Sequence, residues 1–328
     1  MKKFYFVGYT SPRVESQHLA DIKNDPDVEL ITENLNIKLR RNKVLKKIFF
    51  LCHSWKIIKD GEPVFKNFWN RFYSILEYPF EEQNEHYIIF FDSAISQYYS
   101  EAFFLKLKER PNVKIVLYVY DQMTQYYSDR ILRMSRYADV VICTIHEDCK
   151  QYGFTYFPLV YPCINNPNQK DTTILNDIYF LGTNGGRLRY LTEIYEYLTS
   201  NNVKCDFNIV GVPENEQKYV GEITYNKPLS TPENIQHVAS CNCVLEVMHE
   251  GMNAVTSRYA EVLSMNKKLL TNNINVKYEK YYNPEFMRLF ESVKEIDIDW
   301  LTRCENIDYG YKNEFSARAL INFIIDLL

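Results

Sequence analysis

The sequence predicts an α/β protein of two Rossmann-like domains, each a parallel sheet covered by helices, with the two sheets facing across a cleft. Three observations predict it. Short, nearly continuous apolar runs alternate with segments whose apolar residues recur at helical spacing. The alternation breaks once, at a stretch rich in proline and asparagine, and then restarts. The chain has 328 residues, 46% of them hydrophobic, which is enough for two cores.

In order, KFYFVG (3–8), VELITE (28–33), HYIIFFD (86–92), VKIVLYVYD (113–121) and ADVVICT (138–144) read as strands. Their apolar residues are consecutive, as expected of strands buried on both faces. Between the last two, QYYSDRILRMSRYA carries apolar positions at helical spacing. YPCINNPNQKDTT (161–173) reads as the linker, placing an N-terminal domain over 1–165 and a C-terminal domain over 166–312. In the second domain DIYFLG (177–182), KCDFNIVG (204–211), CNCVLEVM (241–248) and KKLLTN (267–272) read as strands. STPENIQHVAS (230–240) reads as a helix with Ser230 as its N-cap, Pro232 in the first turn and Glu233 closing a capping box. NEFSARALINFIIDLL (313–328) reads as an amphipathic closing helix.

Net charge is −4, which lacks the global basic signature of a nucleic-acid binder. The charge is uneven. Residues 34–59 carry eight basic side chains, Lys38, Arg40, Arg41, Lys43, Lys46, Lys47, Lys56 and Lys59, and no acidic one, which leaves −12 on the rest. Apolar residues are interleaved with them, from Ile48 to Leu51 and at Trp55, Ile57 and Ile58. Such a stretch has two main readings, a face on an anionic membrane surface or a solvated helix over the core, and a lesser one, an RNA-binding patch, which the acidic remainder of the chain would oppose. Eight dispersed cysteines include no CxxC pair, and Cys241 and Cys243 read as small core residues. The N-terminus reads as a strand rather than a leader, and no apolar run reaches spanning length. The expected location is cytoplasmic, with reduced thiols, peripheral on the inner face of the membrane if the basic region docks there.

Two constellations point to an anionic ligand. In LGTNGGRLRYL (181–191) a strand runs into Gly182, Thr183, Gly185 and Gly186, and a helix begins near Arg187. Glycines let backbone approach an anion, the helix N-terminus adds partial positive charge, and Arg187 adds a full one. The stretch fits neither GxGxxG nor GxxxxGK[ST]. In EGMNAVTSRYAEVLSMNKKLLTNN (250–273) a loop with His249, Glu250 and Gly251 leads into a helix expected to begin near Asn253 or Ala254. Its first turns carry Thr256, Arg258 and Glu261, and the last two lie three apart on one side. The other reading of Arg258 and Glu261 is a surface ion pair. His249 is the one histidine placed for a role.

Strand, EGxx, helix with Glu, then KxLxTN resembles the donor site of GT-B glycosyltransferases, and GGRLRYLTEIYEYL with the 250–273 stretch is similar to bacterial capsular and lipopolysaccharide-biosynthesis members of that type. The resemblance is best over 177–273. It implies a nucleotide-diphosphate sugar as co-substrate, no cofactor and no metal, and a saccharide or lipid-linked oligosaccharide as acceptor. It implies that Glu261 holds the ribose, Glu250 and Gly251 lie by the donor sugar, and Arg187 meets the diphosphate. Asn266 stands where the family has glycine and Lys268 where it has proline. Asp92 and Asp121 each end an N-terminal strand and are candidate bases for the acceptor hydroxyl, with Asp121 preferred. The catalytic expectation is therefore Asp121, Glu250 and Arg187. Asp297-Ile298-Asp299 and Asp25-Pro26-Asp27 have the DxD form of metal sites, but such pairs are common by chance, and Asp297 and Asp299 stand just before Trp300, where they can cap a helix. The alternatives are a sugar-nucleotide epimerase or hydrolase on the same scaffold, or a non-catalytic binding protein.

Overall fold

The apolar runs of the first half become six parallel strands, β1 (Lys2–Val7), β2 (Val28–Ile31), β3 (Glu85–Phe91), β4 (Val113–Val119), β5 (Val140–Cys143) and β6 (Thr155–Tyr156), in the spatial order β2-β1-β3-β4-β5-β6. The structure is a computed structural model that describes residues 1–7, 18–31, 34–54, 64–91, 99–123, 125–164, 173–252 and 254–328. The strands are apolar throughout because both faces of the sheet are covered. Tyr5, Val7, Ile88, Phe90, Ile115, Leu117 and Val119 face one core, which Leu39, Phe49 and Cys52 from two short basic helices help to close. Phe4, Phe6, Tyr87, Ile89, Phe91, Val116 and Tyr118 face the other, closed by Ala317, Leu320, Ile321 and Ile324 of the last helix. That helix runs from Ala317 to Leu327 and is capped by Ser316, whose hydroxyl accepts from the Ala319 amide at 3.1 Å.

The chain accordingly divides into one unit of Met1–Pro162 with Phe315–Leu328 and another of Cys163–Glu314. The second unit holds β7 (Asn176–Thr183), β8 (Cys205–Val210), β9 (Thr224–Tyr225), β10 (Cys241–Glu246), β11 (Lys268–Thr271) and β12 (Met287–Leu289), again all parallel, in the order β12-β11-β10-β7-β8-β9. After β7 the chain moves outward through β8 and β9. It then crosses back to lay β10 on the other side of β7. The point between β7 and β10 is the topological switch, where open α/β sheets bind ligands beyond their strand ends. Helix Thr231–Ala239 makes the return. Its predicted capping box is present, with Ser230 accepting from the Glu233 amide and Glu233 from the Ser230 amide.

The structure departs from the sequence reading in several places. The helix expected near Asn253 begins at Ser257, with Thr256 as its N-cap, so it starts about a turn later. The strand expected to reach Asp121 ends at Val119. β6, β9 and β12 were not expected; at two or three residues each they are too short to show a period. The two departures from the glycosyltransferase pattern have structural reasons. Asn266 ends helix Ser257–Met265 in the left-handed conformation at φ 48°, a place that asparagine tolerates next best to glycine. Lys268 is fully buried, with its ammonium on the Trp300 and Arg303 carbonyls and near Glu305, so it ties β11 to the chain around helix Ile298–Thr302. Cys241 and Cys243 are free and buried as expected, and burial pushes the Cys241 thiol up to about 12.

Candidate functional site

At the C-terminal ends of β7 and β10 in the second unit lies a cavity of about 190 Å³, lined by Phe180, Leu181, Arg187, Glu246, Met248, His249, Thr256, Ser257 and Arg258 among others. It sits at the switch point and gathers four residues of the predicted site: Arg187, His249, Thr256 and Arg258.

The glycine-rich turn forms one wall. Asn184 organises it, since its side-chain oxygen accepts from the Leu188 amide at 3.0 Å and starts helix Leu188–Ser200. Arg187 folds back, donating from Nε and a terminal nitrogen to the Thr183 carbonyl at 3.2 and 2.9 Å, with its guanidinium over the Phe180 ring. Gly182 permits this, because a Cβ there would lie 2.8 Å from that guanidinium and 2.9 Å from the Phe180 ring. Gly185 is required twice over. It has φ 48°, and a Cβ there would sit 1.9 Å from the His249 ring, whose Nδ1 pairs with the Gly185 carbonyl at 3.1 Å. The β7 turn and the loop after β10 therefore touch through Gly185 and His249. We expect Gly185→Ala to separate them, lowering the unfolding midpoint by an amount equivalent to about 1–3 kcal/mol. A thermal melt of the variant checks this; an unchanged midpoint would show that the contact is not needed.

Glu246, which the sequence reading passed over, anchors the opposite wall. It ends β10, is buried, and has both carboxylate oxygens occupied at 2.5 Å, one by the Thr256 hydroxyl and one by the Thr271 hydroxyl. Each threonine also accepts: Thr256 from the Arg258 amide at 3.1 Å, and Thr271 from the Asn273 amide at 2.9 Å. Asn272 accepts from the Met248 amide at 2.7 Å, and Asn273 donates to the Ala254 carbonyl at 2.9 Å. The Thr-Asn-Asn run at the end of β11 thus holds the end of β10 and the loop after it at three points. A carboxylate within the apolar run CNCVLEVM was the available signal, since a charge there has to be partnered.

Burial raises the Glu246 pKa, and the hydrogen bonds from Thr256 and Thr271 and the charge of Arg258 only partly oppose it. A carboxyl whose folded pKa exceeds its unfolded one stabilises fully below the unfolded value. That stability is lost as pH rises through the folded value. We therefore expect the midpoint of Glu246→Gln to fall less than that of the wild type as pH rises from below the carboxylate range to neutrality. Parallel curves would contradict it.

Arg258 reaches the cavity from the first turn of its helix. Its guanidinium donates to the Leu181 carbonyl at 3.2 Å, to Asn234 at 3.3 Å and to Glu261. Glu261 is buried behind it, and its other oxygen accepts from Asn234 at 3.0 Å; Asn234 in turn accepts from the Tyr179 hydroxyl at 2.9 Å. The two do pair, as the alternative reading had it, but inside the protein rather than on its surface, and Glu261, expected at the ribose, is not among the residues lining the cavity. Burial depresses the Arg187 pKa to about 10, with Glu246 raising it and Arg258 lowering it, so Arg187 stays charged at neutral pH.

The remaining predicted residues are not among those lining the cavity. Thr183 and Gly186 are exposed on the β7 turn, and Glu250 and Gly251 on the turn after His249. Asn253 lies outside the described residues, as do Asp92 and both segments that follow β1 and β3. Asp121 belongs to the first unit, two residues past β4, where the protein around it raises its pKa. Lys38, Arg40 and Arg41 stand on helix Ile37–Arg41, and Lys43, Lys46 and Lys47 on helix Lys43–Cys52; Lys56 and Lys59 are outside the described residues. Of the DxD carboxylates, Asp297 caps helix Ile298–Thr302 through the Trp300 amide at 3.0 Å and pairs with Arg288. Asp25 accepts from the Asp27 amide at 2.7 Å and pairs with Arg318, while Asp27 pairs with Lys3. Both DxD stretches serve local structure. Among the described residues no helix is long and apolar enough to cross a membrane.

No protein-family model and no curated protein sequence matches the chain. Among solved structures, the apo structure of OtsA matches over 99% of this chain and 92% of its own, at 12% identity and a TM-score of 0.53. An alpha-glucosyltransferase in complex with UDP and a 13-mer DNA containing a central A:G mismatch matches over 88% and 81%, at 10% identity and a TM-score of 0.45. Spinosyn rhamnosyltransferase SpnG complexed with spinosyn aglycone matches over 92% and 89%, at 9% identity and a TM-score of 0.43. The match to OtsA shows the fold, and this chain has the same arrangement of two Rossmann-like domains with parallel sheets.

Proposed function

We propose that the protein is a glycosyltransferase that takes a sugar from a nucleotide-diphosphate sugar bound in the second unit. The observation that carries this reading is the cavity at the β7–β10 switch point, with Arg187 and Arg258 in its wall and a buried carboxylate holding its loop. Two fixed guanidinium groups in a partly water-excluded site suit a diphosphate. They would gain most when negative charge grows on it as the glycosidic bond breaks, which is the condition for lowering the barrier. No step of this needs a metal. Glu261 is assigned through Arg258, which it holds in place. For it to reach a ribose, Asn234 and Arg258 would have to share it with the ligand. Glu250 and Gly251, in their exposed turn, would approach the sugar. Asp121 would take the proton of the acceptor hydroxyl, a role that its raised pKa suits. The acceptor class, a saccharide or lipid-linked oligosaccharide of surface polysaccharide synthesis, rests on the sequence resemblance over 177–273.

The test is the release of nucleoside diphosphate from UDP-, GDP-, CDP- and dTDP-sugars in EDTA, with and without a mixture of saccharide acceptors. Release from one donor that rises with acceptor is the expected result. Equal release without acceptor would favour a hydrolase. Nucleotide binding with no release under any condition would favour a non-catalytic binding protein.

A further inference from the structure

Helix Lys43–Cys52 in the first unit has two apolar faces, although only one of them is used by the core. Leu45, Phe49 and Cys52, spaced i, i+4, i+7, point inward. Val44, Ile48 and Leu51 have the same spacing on the solvent side, with exposures of 68%, 44% and 58%. A solvated helix places polar residues there. Phe50 is exposed beside them, with the Lys46 ammonium over its ring. The patch continues past the helix: the Val64 amide bonds to the Cys52 carbonyl at 3.3 Å, and Phe65, next in sequence, is 73% exposed. Lys43 and Lys47 flank the stripe, Lys38, Arg40 and Arg41 precede it, and residues 34–54 contain no acidic side chain.

We infer that this face docks the first unit on an anionic lipid bilayer, with Val44, Ile48, Leu51 and Phe65 entering the headgroup–acyl boundary and the basic side chains meeting lipid phosphates. Charge selects the partner. An apolar stripe alone would suit another protein or a second copy, but two like copies of this basic face would repel each other. Apolar side chains with surrounding lysines and arginines, on a chain acidic elsewhere, match the apolar and anionic layers of a bilayer. Nucleic acid offers phosphates but no apolar layer for the stripe. The inference goes beyond the donor-site reading and does not depend on it.

The experiment is co-sedimentation of the full chain with vesicles of phosphatidylcholine alone and of phosphatidylcholine mixed equally with phosphatidylglycerol. It compares the wild type with Val44→Ser/Ile48→Ser/Leu51→Ser and with Lys43→Gln/Lys47→Gln. All five side chains are at least partly exposed, and an unchanged melting midpoint confirms that each variant folds. We expect binding to the mixed vesicles that weakens with salt. It should drop about tenfold or more in the serine variant, and several-fold in the glutamine variant. Absence of wild-type binding to mixed vesicles at low salt would overturn the inference. So would serine-variant binding equal to wild type, which would mean adsorption by charge alone. A concentration-dependent dimer abolished by the serine changes, without vesicle binding, would assign the face to a second copy instead. Nucleotide stabilisation, read on the same variants, is expected to be unchanged, so failure here leaves the donor site untouched and the reverse also holds.

Discussion

Arg187→Ala is expected to abolish stabilisation by nucleoside diphosphates and to lower kcat/KM for transfer by about 10²–10³, while leaving the ligand-free melting midpoint nearly unchanged. The separation of the two effects follows from its surroundings. Arg187 is half-buried, and both of its hydrogen bonds go to one backbone carbonyl of an exposed turn. Removing it strands no buried charge. It does remove a cation, still ionised at neutral pH, from a cavity wall. A hydrogen bond to a charged group contributes about 1.5–3 kcal/mol, and one aimed at charge that grows in the transition state contributes to turnover as well. Thermal shift and initial-rate measurements on the variant check both halves. A large fall in the ligand-free midpoint, or a retained nucleotide shift, would contradict the assignment.

Arg258→Ala is expected to act in the opposite proportion, costing about 3–5 kcal/mol of stability in the second unit as well as nucleotide binding. Its guanidinium satisfies Glu261, Asn234 and the Leu181 carbonyl together, and Glu261 is buried. Without Arg258 that carboxylate loses the one ion pair it makes among the described residues. The double change Arg258→Met/Glu261→Met removes both charges and refills the space. It should recover much of the lost stability, since apolar replacement of a buried pair is commonly neutral or better. It should not recover nucleotide binding, because the cavity still lacks its second guanidinium. Chemical denaturation with a nucleotide titration separates these outcomes. Binding restored in the double variant would show that Arg258 serves packing alone.

The parts of this account that were legible in the sequence are those set by local rules. The capping box at Ser230 and Glu233 needs only a four-residue pattern, and it is present. The apolar runs of β1, β3, β4, β7 and β10 could be read because each strand buries at least three consecutive side chains. Arg187 and Arg258 stood out as cations beside helix starts. What was not legible depends on tertiary partners. Glu246 looks like one polar letter in an apolar strand until Thr256 and Thr271, ten and twenty-five residues away, are brought to it. Asn234 comes from another helix, and only the fold shows that it joins Tyr179, Arg258 and Glu261. The start of helix Ser257–Met265 was misplaced because Asn253 and Thr256 are both plausible caps by residue type. The Thr256 hydroxyl, accepting from the Arg258 amide, decides between them.

Whether a diphosphate binds at the β7–β10 switch point is decided by the melting midpoints of the wild type and Arg187→Ala with UDP, GDP, CDP and dTDP in EDTA. A ligand that binds only the folded protein raises the midpoint according to its affinity and concentration. One of these diphosphates is expected to raise the wild-type midpoint without metal and to leave that of Arg187→Ala where it was. No shift with any of the four, or an equal shift in both proteins, would contradict a diphosphate site at the β7–β10 switch point. A shift seen only with Mn²⁺ or Mg²⁺ would contradict its independence of metal.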